Sequence, residues 1–158
     1  MKNNNEIVIF ETEDKAVTLS VPVEQETVWL TQEQMSELFD TARSSIAYHI
    51  GNIFKEEELD RNTSVEIFDR SANASRPPKY YNLDVIISVG YRVKSKRGVE
   101  FRKWANSVLK QYILQGYAVN YNRIAQLGEV IKIMKRTQNE LDSQQVLNVI
   151  QKYSKAFL

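Results

Sequence analysis

The chain changes its hydrophobic rhythm twice. Residues 6–11 (EIVIFE) and 16–23 (AVTLSVPV) are rich in β-branched side chains and are separated by four polar turn residues. That pattern predicts a β-hairpin. Pro22 has no N–H to give to a ladder, so it suits an edge or a strand end. Val28 and Trp29 are placed to seat the hairpin on the next unit of the chain.

From residue 31 the period becomes helical. Thr31 and Gln34 have the spacing of a capping box, and Leu30 and Met35 that of a hydrophobic staple. Met35, Leu38 and Phe39 form the apolar stripe of a helix over 31–39. Asp40, Thr41 and Ala42 interrupt it. A second helix is expected over 42–55, because Ile46, Ile50, Ile53 and Phe54 fall on one face. Its other face carries Ser44, Ser45, Tyr48, Asn52 and Lys55, where a merely solvated helix would more often show Glu and Lys. The acidic stretch 55–60 is expected to fray into a loop.

Residues 65–68 and 79–81 read as short strands joined by a polar loop ending in two prolines, the pattern of a wing. Asn82 should cap a helix over 83–91 that buries Val85, Ile86 and Val89, with Gly90 as its stop. Residues 96–115 hold the longest helical pattern: Phe101, Trp104, Ala105, Val108, Leu109, Tyr112 and Ile113 share a face, with Arg102, Lys103, Asn106 and Lys110 opposite and Gly116 as terminator. Ile124, Leu127, Ile131 and Met134 then form a short coiled-coil-like seam. Leu141, Val146, Leu147, Ile150 and Tyr153 suggest one more helix. The apolar ending Phe157–Leu158 points to a longer parent protein. The fold class expected is α+β: an N-terminal β-hairpin (1–30), a winged helix-turn-helix core (31–120) and a C-terminal helical hairpin (121–158) suited to dimerisation.

Composition narrows the chemistry. At 158 residues the chain suits one domain, able to bury roughly 70% of its unfolded surface. No Cys is present and only one His, His49, which excludes disulfides, thiolate zinc sites, iron–sulfur clusters and two-His metal sites. The longest apolar run is Ile7, Val8, Ile9, Phe10, and the N-terminal segment lacks an apolar signal core. A soluble, cytoplasmic protein is expected. The net charge of +1 conceals polarity: residues 1–82 carry eight basic and fifteen acidic side chains, and residues 83–158 carry thirteen basic and five acidic. The densest basic stretch holds Arg92, Lys94, Lys96, Arg97, Arg102 and Lys103, an electrostatic footprint for phosphate.

A capped helix, a break and a second helix with an apolar back and a small polar front describe a helix-turn-helix. Close approach to a major groove calls for short side chains on the outer face. Ser44 and Ser45 can bond phosphate or base edges, Asn52 can pair with adenine, Tyr48 can meet phosphate or a thymine methyl, Arg43 can reach a phosphate or guanine, and His49 and Lys55 complete the candidate DNA-contacting set. Arg70 and Arg76 in the wing suit an adjacent minor groove. Other chemistries fit poorly. Residues 90–98 (GYRVKSKRG) lack phosphate-loop spacing. The set Glu66, Asp69, Lys79 and Asp84 matches no specific nuclease pattern. No catalytic residue, metal or cofactor is expected.

Residues 28–120, and most specifically 80–105 (YYNLDVIISVGYRVKSKRGVEFRKWA), resemble the bacterial RhuM-type virulence protein family. The strand–helix–FRxWA portion is loosely similar to phage antirepressor Bro-N/KilA-N domains. The resemblance implies a DNA-binding protein of a mobile element or pathogenicity island, with no established catalytic residues to carry over. Some family members are linked to Fic/Doc-type toxin domains, but the Fic motif is absent here. Tyr48 occupies a position where the family often has Arg, which alters one phosphate or base contact. The function expected is sequence-specific binding of double-stranded DNA by a homodimer. The alternative is an antitoxin- or antirepressor-like module that holds a toxin or repressor.

Overall fold

The computed structural model describes residues 6–22, 25–67, 76–136, 148 and 150–152. Strands β1 (Glu6–Glu11) and β2 (Thr18–Pro22) pair antiparallel, with a bulge between Val8 and Phe10. Pro22 ends its strand opposite Glu6. The turn is held by Asp14, which accepts from the Thr12 hydroxyl (2.6 Å) and the Ala16 N–H (2.9 Å). Those bonds favour the ionised carboxylate and hold its pKa below the ordinary value. Phe10, Leu19 and Val21 are buried.

Helix α1 (Gln32–Phe39) starts with both bonds of the capping box: Gln34 N–H to Thr31 Oγ1 (3.2 Å) and Thr31 N–H to Gln34 Oε1 (2.9 Å). It ends at Asp40, which is left-handed (φ 48°). The Asp40 N–H bonds Glu37 O and the Thr41 N–H bonds Ser36 O (3.1 Å), closing the helix as a Schellman motif. Asp is one of the few side chains that tolerate this backbone. Helix α2 (Arg43–Lys55) begins three residues later and packs against α1. A short helix α3 (Arg61–Ser64) then leads into β3 (Val65–Glu66), paired antiparallel with β4 (Tyr80–Tyr81). Leu30 bonds the other edge of Tyr81 through both backbone groups (2.9 and 2.8 Å). The strands are shorter than the sequence suggested, and α3 is a helical turn between the acidic 55–60 loop and β3 that the sequence pattern did not indicate.

Helices α4 (Leu83–Arg92), α5 (Lys96–Gln115) and α6 (Tyr121–Arg136) follow. Asn82 caps α4 through Val85 N–H (3.2 Å), as its side chain predicts. Met35, Phe39, Ile46, Ile53, Val85, Ile86, Val89 and Phe101 are fully buried. Phe101 is central, edge-on to Phe10 (5.3 Å) and Phe39 (5.4 Å). Each such ring pair adds about 0.5–1.5 kcal/mol beyond its buried area. Ser95 links two helices: it caps α5 through Gly98 N–H (3.0 Å) and donates to Phe39 O at the end of α1.

Three expectations are corrected. Gly90 does not stop α4, which runs on to Arg92; a Cβ at Gly90 would lie 2.4 Å from the Phe101 ring. Glycine is needed there for close packing. The apolar stripe of α5 is covered only at its start. Phe101 is buried, whereas Leu109, Tyr112, Ile113 and Leu114 are 51, 62, 66 and 76% exposed. The segment from 121 was expected to stand apart, but α6 lies against β1, with Gln126 Nε2 donating to Glu6 O (2.8 Å). Arg123 of α6 is buried, while Ile124 and Ile131 of the expected seam face solvent. The Met134 side chain, and most of the helix expected over 141–153, lie outside the described residues.

Candidate nucleic-acid interface

Helix α2 is divided cleanly. Ile46, Ile50, Ile53 and Phe54 are buried, and Arg43, Ser44, Ala47, Tyr48, Gly51 and Lys55 are exposed. Tyr48 is 68% exposed. Ser45, His49 and Asn52 are half-buried along the borders. The sequence reading missed Ala47 and Gly51. Their signal was a small residue at the helix midpoint, where Gly costs about 1 kcal/mol relative to Ala. A Cβ on Gly51 would meet nothing within 4 Å, so no intramolecular contact requires a glycine there. At the N-terminus, Ala42 provides no side-chain cap, leaving first-turn N–H groups open to an anion.

The basic stretch folds partly beside this helix. The pKa of His49 is held below its ordinary value, first by burial and then by the positive charges of Arg92 and Lys94. Lys94 is exposed; Arg92 is not free. Its Nη2 bonds Glu56 Oε2 (2.7 Å) and Glu58 Oε2 (2.5 Å). A second Schellman turn, with Glu57 left-handed (φ 58°), folds the end of α2 back so that both carboxylates reach it. The pairing holds the Glu58 carboxyl below its ordinary pKa, with a hydrogen bond from Ser88 as a further cause.

Two more predicted contacts are spent inside the fold. Arg97 Nη1 donates to Glu37 O (2.8 Å), capping α1. Arg102 Nη1 donates to Gly90 O (3.1 Å) and to Val93 O, capping α4. Lys96 and Lys103 are exposed, and Lys103 shares a shallow groove on α5 with Asn106 and Lys110. Of the six basic residues in this stretch, only the three lysines present their charge outward. On the other side of α2, Arg43 shares a cleft with Arg76 and Lys79 at the foot of the β3–β4 connection. Arg70 lies outside the described residues, as does Asp69. Among the described residues no three His, Asp or Glu side chains gather in a way that could hold a metal, and no helix is long and apolar enough to cross a membrane.

These elements define a small α+β domain in which one helix of a close pair turns its outer face to solvent. The family model for the Virulence protein RhuM family matches residues 59–141, and the chain belongs to that family. The match contains the 80–105 segment and begins just after α2. No curated protein and no solved structure matches the chain, and the looser likeness to Bro-N/KilA-N domains finds no counterpart in these comparisons.

Proposed function

We propose that the chain is a sequence-specific DNA-binding regulator in which α1, α2 and the β3–β4 pair act as a winged helix-turn-helix. One observation carries the reading: the exposed face of α2 has the small residues Ser44, Ala47 and Gly51 along it and is flanked by cations on both sides, Lys94 on one and Arg43, Arg76 and Lys79 on the other. In this reading α2 enters the major groove. Ala47 and Gly51 let its backbone approach, Ser44, Tyr48 and Asn52 meet base edges, and Lys55 and Lys94 meet phosphates. The exposed end of α5 pairs with a second copy, so that two reading helices meet two half-sites.

The test is selection of bound duplexes from a random pool, followed by anisotropy over a salt series. An enriched motif is expected, with log K falling against log salt by about 0.9 per phosphate contacted. No enrichment together with a flat salt response would sink the reading. The exposed apolar residues of α5 favour a second reading, a protein-binding module of antitoxin or antirepressor type. Ser44→Glu with Lys55→Glu separates the two, since it should abolish duplex binding and leave a protein partner bound.

A further inference from the structure

We infer that the cleft between the first turn of α1, the start of α2 and the foot of the β3–β4 connection is a seat for a DNA backbone phosphate; the inference rests on the duplex-reading role of α2. The cleft encloses about 660 Å³, and Thr31, Gln32, Arg43, Arg76, Lys79 and Tyr81 are among its walls. Its three cations come from separate places: Arg43 opens α2, and Arg76 and Lys79 precede β4. Among the described residues Glu33 is the one acid in its walls, which leaves an excess of two positive charges there. Among the described residues, Arg43, Arg76 and Lys79 make no hydrogen bond or ion pair. Like charges brought to one concavity repel unless an anion sits between them.

The surrounding geometry favours that anion and fixes its place. Two helices begin at the cleft, and their N-termini carry partial positive charge. The start of α2 lacks a capping side chain. Pro77 and Pro78 each lock one backbone angle, which limits how far Arg76 and Lys79 can drift apart. The wall is braced by Gln32 Nε2 donating to Tyr81 Oη (3.2 Å). A phosphodiester fits this opening with its sugars left outside. Such a contact sets the register of α2 on the duplex and carries no base information.

The experiment uses the whole chain, the duplex it selects and a scrambled duplex, with Arg76→Ala, Lys79→Ala and the double variant. All the altered side chains are exposed, so the thermal midpoint should not move. Each single variant should lower the log–log salt slope by about 0.9. Affinity for both duplexes should fall alike, leaving their ratio unchanged, and Arg76→Lys should keep the slope. If the wild-type chain binds and the double variant keeps its slope and affinity, the cleft inference fails while the role of α2 stands. A changed duplex ratio with an unchanged slope would mean base reading and would also overturn it. A wild-type chain that binds no duplex overturns both.

Discussion

Two glycines inside helices have opposite reasons to exist. Gly90 is buried and its missing side chain is where the Phe101 ring lies, 2.4 Å from an added Cβ. Phe101 has no room to retreat, so Gly90→Ala should lower stability by about 1–3 kcal/mol even though Ala is the better helix former. Gly51 faces open space, so Gly51→Ala should raise stability by about 0.5–1 kcal/mol. The same change should weaken duplex binding, because a methyl group stands where a groove wall would approach. Thermal denaturation and anisotropy on the two variants check both signs. A Gly51→Ala protein that is less stable, or that binds as tightly as before, contradicts these roles. The sequence marked Gly90 as a terminator because glycine often ends helices. The ring that needs it is eleven positions further on.

At the level of elements, the arginines hold helices together. Arg92 ties the end of α2 to α4, Arg97 closes α1 and Arg102 closes α4. The Arg92 cluster is partly exposed, its carboxylates 59 and 42% so, and solvent screening limits its worth to about 1 kcal/mol or less. Its pH signature is still measurable. Both His49 and Glu58 have folded pKa values below their ordinary 6.5 and 4.5. In those windows the unfolded chain binds more protons than the folded one, so stability falls as pH drops. The urea midpoint should decline from pH 7.5 to 5.5 through His49, and again below 4.5 through Glu58. His49→Gln should flatten the first decline, and Arg92→Met should shrink the second. A midpoint that rises on acidification would contradict both assignments.

At the scale of the molecule, the outer end of α5 is an apolar surface that the described residues leave uncovered. An exposed band containing Leu109, Tyr112, Ile113 and Leu114 is unusual for a monomer. Pairing with a second copy would remove it from water and set two α2 helices in one assembly. Leu109→Glu with Ile113→Glu should convert a dimer to a monomer in sedimentation. The folded unit should keep its helical spectrum, since neither side chain serves the core. A wild-type chain that sediments as a monomer at high concentration would refute the pairing. The charge polarity also acts at this scale. α2 comes from the acidic half of the sequence, and the fold brings Lys94 of the basic half beside it.

The elements themselves were legible in the sequence because their causes are local. A capping box spans three residues, an apolar stripe repeats within four, and Gly116 (φ 81°) ends α5 where its left-handed backbone is needed. The helix pair, the hairpin, the two short strands and the buried face of α2 all derive from such rules. The site was only half legible. Six basic residues over 92–103 look alike in sequence, and contacts reaching across 36 or 60 positions, Arg92 to Glu56 and Arg97 to Glu37, help turn three of them inward. The same long-range packing leaves half of α5 uncovered and gathers Arg43, Arg76 and Lys79 around one cleft. Periodicity determines which face of a helix is apolar. Only the tertiary structure decides what covers that face, and which charges remain for a partner.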